Sequence, residues 1–468
     1  MSADSEGNQP QRPALTRLMK IGWAAGDVGI ACYVGGTMTY LLFYLTQAHG
    51  LAPGWAGIAL LIPRMLDVPA DPIMGAISDR TVTAMGRRRP YLLGGALAFG
   101  LTFYLTFAIP EFHNPMVTVL YATVAYFLAS LAYTVFAIPH AAMAAEMTPS
   151  YRERTSVVGY RMVGSRLGIL MVGLAGPYLF SAGETLRDGF RIFGAVFALV
   201  VMIGGVVSFR ATRDAPRIER PAVRFNLGDE ARALARNAPF RTLFTVFLLQ
   251  NIAIGMSATG LVYFATFIVG IEVRHVGWLA SGGAIVAMLA TPLWMRAGHR
   301  WGVSKRRVYT IAILIEVCAY TGLLFFAQPG RLWLVFGLVA LLGIGDAACQ
   351  LAPHSMVPDT VEADEVATGV RRDGTIFGAL SACLKLGMAI GAFFASLVLQ
   401  VTGFVSGQSV TAQGSTALLG VRLAYCAVPI LLWMTAVWLV RRYDLDERRH
   451  GDLRDELQRR DTAANPLS

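Results

Sequence analysis

Charged residues are scarce in this chain. They make up 15% of its 468 residues, against about 25% in an average soluble domain. Cysteine is scarcer still. The five copies are Cys32, Cys318, Cys349, Cys383 and Cys426, and none has CxxC spacing. They exclude a disulfide framework and a zinc module, and read as small apolar residues. The seven histidines are scattered. There is no Walker loop, no GxSxG elbow and no HExxH pair, so nucleotide-driven work and hydrolase chemistry have no support, and neither an enzyme nor a cofactor is expected. Long polar stretches are missing too. The one exception, "FRATRDAPRIERPAVRFNLGDEARALARNAPFR" (209–241), is too short for a domain. Without a soluble domain, the net charge of +10 has no basic face to offer nucleic acid.

What the chain has instead is apolar length. Hydrophobic residues are 55% of it, with a mean hydropathy of +0.53. They fall into twelve blocks of about 20 residues or more, enough to cross a bilayer as helix. The blocks run roughly 21–47, 54–78, 91–109, 116–145, 157–181, 189–209, 240–270, 275–296, 307–327, 332–357, 373–401 and 416–440. An all-α integral membrane protein of twelve helices is the expected fold class. The basic residues then give the orientation. Of 40 Lys and Arg, 33 fall on one set of connections when both termini are placed inside. Both termini are therefore expected in the cytoplasm. The polar start, "MSADSEGNQPQRPALTRLMK", holds no cleavable apolar core and reads as a cytoplasmic arm over 1–20. The tail reads as cytoplasmic over 442–468.

The polar interruption divides the blocks six and six. It predicts bundles over 21–209 and 240–441 joined by a central loop at 210–239, where "NLGDEARALARN" suits an amphipathic surface helix. The short loops "SDRTVTAMGRRRP" and "AGHRWGVSKRRVY" occupy matching places in the two halves. An internal six-plus-six repeat points to a secondary transporter with its site between the halves. "GRRRP" also suits anionic lipid headgroups.

One stretch breaks the apolar pattern. "DVPADP" (67–72) puts two carboxylates and two prolines inside the second block, three residues after Arg64. Asp67 and Asp71 are four apart and share a helix face. Two carboxylates so close in a low dielectric need a cation between them, or one must hold a proton. A static bridge to Arg64 or Lys385 would also satisfy Asp67. Pro69 and Pro72 should kink the helix and free carbonyls. Lys385 is a second charge inside a block and needs a carboxylate partner, unless it snorkels to the helix end.

Three segments resemble one family: "DVPADPIMGAISDRT…GRRRPYLLGG", "AYTVFAIPHAAMAAEMTPSYRERT" (132–155) and "VPDTVEADEVATGVRRDGTIFGALSACLK" (357–385). They are similar to the glycoside–pentoside–hexuronide:cation symporters, the melibiose-permease-like branch of the major facilitator superfamily. The resemblance implies two six-helix bundles around a central cavity, in a bacterial plasma membrane. It implies that Asp67 and Asp71 bind the coupling Na⁺ or H⁺, with a hydroxyl from Thr134. Lys385 then reaches them across the cavity. The family often has Asn before the second aspartate, whereas this chain has Ala70. Losing that oxygen weakens a Na⁺ site more than a proton site, so H⁺ coupling is favoured over Na⁺.

For the solute, the resemblance implies Asp27 and Arg161. Trp23, Tyr33 and Tyr133 could stack on a sugar face, though aromatics in spans also simply pack. The disaccharide-transporting members carry a second aspartate where this chain has Ala137, and a tryptophan where it has Ala141. His140 could restore some polarity. The pocket suits a glucuronide, a pentoside or an apolar glycoside better than an ordinary galactoside. A lysolipid or other amphiphile on the same fold stays open, and so does a non-transporting sensor. Charges at Asp79, Arg80, Arg87, Arg88, Glu146, Arg154, Asp359, Glu362, Arg371 and Asp373 are expected to form a cytoplasmic gate, or else are solvated loop charge. The expected partners are a small-molecule solute and membrane lipid, with the chain working as a monomer.

Overall fold

A bilayer offers the backbone no hydrogen bonds, so a spanning chain must satisfy its own. This one does so with helices. A computed structural model describes residues 15–148, 151–215, 232, 234–301, 303–370, 372–443 and 445, and all regular structure among them is helical. The first half holds α1 (Arg17–Phe43), α2 (Pro53–Asp67), α3 (Ala70–Arg80), α4 (Arg89–Phe107), α5 (Pro115–Met147), α6 (Tyr151–Phe180) and α7 (Leu186–Ala211). The second holds α8 (Ala238–Tyr263), α9 (Val276–Trp301), α10 (Lys305–Phe326), α11 (Leu332–Thr368), α12 (Asp373–Val401), α13 (Ser415–Arg422) and α14 (Val428–Val440). Eleven helical stretches are long and apolar enough to cross a membrane, with α13 and α14 joined as one. The broken pair α2 and α3 supplies the twelfth crossing, so the twelve-helix expectation holds.

Capping side chains set where the first helix of each half begins. Helix α1 starts at Arg17, inside the expected arm, because the Thr16 hydroxyl caps the Met19 N–H at 3.2 Å. Asn237 caps Phe240 in the same way and starts α8. Arg232 and residues 234–236 are helical. The rest of the expected surface helix, most of the arm and most of the tail lie outside the described residues.

Glu153 ties the start of α1 to α6. Its carboxylate accepts from the Leu15 N–H at 2.8 Å and the Thr148 hydroxyl at 2.8 Å, with Lys20 at 3.5 Å. Burial alone would raise its pKa, but these donors outweigh burial and hold it below the usual carboxylate value. A depressed folded pKa adds stability above the unfolded value, about 4.3, and loses it as pH falls through the folded one. Glu153→Gln should therefore cost about 1.5 kcal/mol near neutral pH. The gap in melting temperature between wild type and variant should then close as pH falls below about 4. A gap that stays constant from pH 7 to 3.5 would remove Glu153 as the tether.

The repeat shows in the helices themselves. Helices α1 and α8 open the two halves, are mostly buried, and each runs into a π-helical turn, Tyr44–Ala48 and Phe264–Val269. The halves meet where α1 packs on α8, α2 on α12 and α6 on α9. Exchanging the halves exchanges the last two pairs, as a pseudo-twofold axis requires. Cross-half hydrogen bonds close the end away from the termini. The Thr46 and Tyr263 hydroxyls are hydrogen-bonded at 2.5 Å, Ser406 donates to the Leu51 carbonyl at 2.7 Å, and Gln400 accepts from the Gly54 N–H at 3.1 Å. Glycine permits this closeness. A Cβ at Gly277 would lie 1.8 Å from the Gly173 carbonyl oxygen, so the α6–α9 contact needs a bare backbone.

Candidate functional site

The second crossing is broken because its sequence cannot stay helical. Pro69 lacks the N–H that would bond to Met65, and its ring crowds that turn. The helix stops at Asp67, passes through Val68 and Pro69, and restarts at Ala70. Pro72 falls in the new first turn, where an N–H is not missed. Asp71 also lies in that first turn, where the helix N-terminus favours a negative charge. Thus the prolines set Asp67 at the end of one helix and Asp71 at the start of the next.

Two residues from other helices complete the cluster. The Thr134 hydroxyl on α5 lies 2.9 Å from Asp67 and 3.0 Å from Asp71. It has one proton, so it serves one carboxylate at a time. Lys385 on α12, in the other half, donates to Asp67 at 3.3 Å and to both Asp71 oxygens at 2.7 and 2.6 Å. Asp67 is fully buried, while the Asp71 side chain is 20% exposed. Lys385 therefore does not snorkel. Its ammonium sits 5.2 Å from the centre of the Tyr133 ring. Arg64, buried beside them, donates to Tyr126 at 2.7 Å and faces the Tyr33 and Tyr126 rings, leaving Asp67 to Lys385 and Thr134. Two carboxylates and two cations leave the cluster formally neutral.

Asp27 and Arg161 form a second pair. Arg161 Nε donates to Asp27 Oδ1 at 2.9 Å, bridging α1 and α6. The Arg161 side chain is 31% exposed and that of Asp27 1%, so the arginine is the accessible member. Asp27 Oδ2 is buried without a hydrogen-bond partner, 3.9 Å from an equally unpartnered His140 Nδ1. Three expected solute contacts need correction. Trp23, Tyr33 and His140 are fully buried in this conformation. Trp23 stacks on His140 at 4.7 Å, His140 Nε2 meets the Trp23 carbonyl, and Tyr33 packs against Tyr133, Phe99 and Phe103. They are core, because α1 is enclosed on nearly every side. Tyr133 stays partly exposed beside Lys385.

The second half carries polar groups that sequence reasoning missed. Asp346, Gln350 and His354 follow one another at four-residue spacing along one face of α11, linked by hydrogen bonds of 3.3 and 2.9 Å. Arg166, on α6 of the first half, lies within electrostatic range of Asp346. Glu316, buried on α10, also interacts with Asp346. A lone carboxylate in "ILIEVCAY" is the same signal that marked Asp67.

At the end that bears the termini, ion pairs form within each half. Glu146 accepts from Arg87 at 2.9 Å and lies 3.0 Å from the Arg88 guanidinium, which donates to Asp79 at 2.7 Å. Asp359 pairs with Lys305 and Asp364 with Arg372, each at 2.8 Å. Arg80 closes α3, and Glu362 lies on α11 near Asp359. Arg371 and the side chains of Arg154 and Asp373 lie outside the described residues.

The fold, the polar centre and the cross-half lysine now have a family to be set against. Residues 22–447 match the family described as MFS/sugar transport protein. The chain belongs to that family. Within it, the chain falls in the glycoside–pentoside–hexuronide:cation symporter branch. One relative, the "Uncharacterized symporter YnaJ" of Bacillus subtilis (strain 168), is 29% identical over 451 residues, 96% of each chain. Another, the "Glucuronide carrier protein homolog" of Escherichia coli (strain K12), is 26% identical and covers 94% of this chain and 95% of its own. Among solved structures, a bacterial homolog to the human lysosomal transporter Spinster superposes with a TM-score of 0.69 at 13% identity, covering 91% of this chain and 95% of its own. That last likeness shows the fold alone. This family member is a multi-pass membrane symporter of the sugar-transport class and not an enzyme.

Proposed function

We propose that the chain couples proton entry to uptake of a hexuronide or glycoside across a bacterial plasma membrane. The observation that carries this reading is Lys385, which reaches from the second half to both aspartates of the first. A cation arriving at Asp67 and Asp71 competes with that ammonium. A proton on Asp71 neutralises the carboxylate that holds Lys385 most closely and loosens the tie between halves. The same event can therefore be felt on both sides of the cavity. With Ala70 in place of an amide, the oxygens suit one proton better than a shell around Na⁺.

The solute is held by the accessible guanidinium of Arg161, backed by Asp27. A guanidinium binds a hexuronide carboxylate through a charge-assisted pair, and Asp27, buried behind Arg161, holds that guanidinium in place. The halves rock to open the sealed end, where both ligands load, and the loaded protein rocks back to release them inside. While the outer end is open, the paired charges at the other end form the cytoplasmic gate, with the termini inside.

A thermal-shift panel on purified protein tests this. A glucuronide or glycoside should raise the melting temperature, since a ligand of the folded state stabilises by mass action. The shift should vanish in Arg161→Ala. It should grow as pH falls towards 5.5 without needing Na⁺. A Na⁺-dependent shift would reassign the ion. Silence from every sugar, with a response to lysolipid, would reassign the solute.

A further inference from the structure

Away from the transport path, a cavity of about 560 Å³ opens at the end that bears the termini. It lies between the start of α10, the late part of α11 and the end of α14, and Ser304, Lys305, Arg306, Arg307, Asp359 and Arg441 are among its lining. Four cationic side chains thus face one carboxylate. Lys305 Nζ lies 2.8 Å from each Asp359 oxygen and spends its charge there. Arg306 donates to the Arg441 carbonyl at 2.6 Å and the Tyr443 carbonyl at 3.5 Å, which fixes the end of α14 as a wall. Arg307 and Arg441 have no side-chain partner among the described residues, so their charges remain.

A further feature asks for an acceptor. The cavity contains the start of α10, whose first N–H groups have no carbonyl within the helix; Ser304 caps only that of Arg307. The rest of the lining includes Ile311, Met356 and Leu445. Ile311 and Leu314 are well exposed and continue from the cavity along α10 into the apolar zone. The cationic end of the cavity therefore lies at headgroup level, with an apolar track leading from it towards acyl chains.

We propose that this cavity binds the phosphodiester headgroup of an anionic phospholipid, held by Arg307, Arg441 and the N-terminus of α10. The lipid braces α14 against α10 without touching Asp67, Asp71 or Lys385.

The test uses the full-length purified protein, titrated with phosphatidylglycerol and read by thermal shift and native mass spectrometry. Phosphatidylglycerol should raise the melting temperature and remain bound. Arg307→Gln and Arg441→Gln should each weaken its binding about threefold, near the net worth of one hydrogen bond, and together about tenfold. Arg210→Gln, on another helix at the same end, should leave it unchanged. Inorganic phosphate that reproduced the whole shift would make the ligand a free anion and overturn the lipid assignment. So would an equal shift with phosphatidylcholine, or unchanged phosphatidylglycerol binding in both cavity variants.

Discussion

Asp71→Asn is expected to abolish uphill accumulation of solute while leaving downhill exchange measurable. Wild type carrying a neutral glycoside with one proton moves one net charge, and at 100 mV has about 2.3 kcal/mol available, enough for about 50-fold accumulation. The variant should settle near a ratio of one. The reason lies in the two bonds of 2.7 and 2.6 Å from Lys385 to Asp71. An amide at 71 cannot bind the coupling proton, and it holds the lysine without charge. The change that should accompany transport is lost, though the solute site at Arg161 is untouched. Uptake into energised membrane vesicles, followed by counterflow in de-energised ones, separates the two functions. Full accumulation in the variant would take Asp71 out of the coupling site. Loss of counterflow as well would mean that the substitution damages the whole transport cycle.

Asp71 was legible in the sequence because a carboxylate between two apolar runs is expensive wherever it points. The same reasoning made Asp67 and Lys385 visible, and it would have found Glu316 and Asp346 had it been applied evenly along the second half. Direction was harder to read. Helix α1 is apolar and small-residue-rich all round, so no periodicity tells which face fronts the cavity. Trp23 and Tyr33 therefore read as possible sugar platforms, whereas the fold turns them into the core. His140 looked like a replacement for polarity lost at Ala137, but it stacks on Trp23 behind Asp27. The prolines of "DVPADP" announced a disturbance. That the disturbance is a full break, with Asp71 starting a new helix, depends on the neighbours that receive the two ends. The loop charges were visible as charges, but their present partners within each half depend on which end is closed.

Lys385→Ala should have the other large effect, and it should differ in kind from Asp71→Asn. Removing the ammonium leaves Asp67 and Asp71 facing each other with Thr134 able to donate to only one of them. Arg64 then has to balance both carboxylates alone, so one of the two is expected to take a proton and keep it. The site should then be loaded whatever the outside pH. Breaking a buried pair by removing one partner costs about 3–5 kcal/mol, and the halves lose their mid-depth tie. Transport driven by a pH gradient should fall at least about 100-fold, since 1.4 kcal/mol is a factor of ten. Solute binding, read by thermal shift, should survive and lose the pH dependence expected of wild type. The double variant Lys385→Ala with Asp71→Asn removes one charge of each sign and should recover part of the lost stability. If Lys385→Ala retained pH-dependent solute binding, the lysine would be only a structural bridge, and coupling would have to reside elsewhere. Glu316 and Asp346 would then be the next carboxylates to replace.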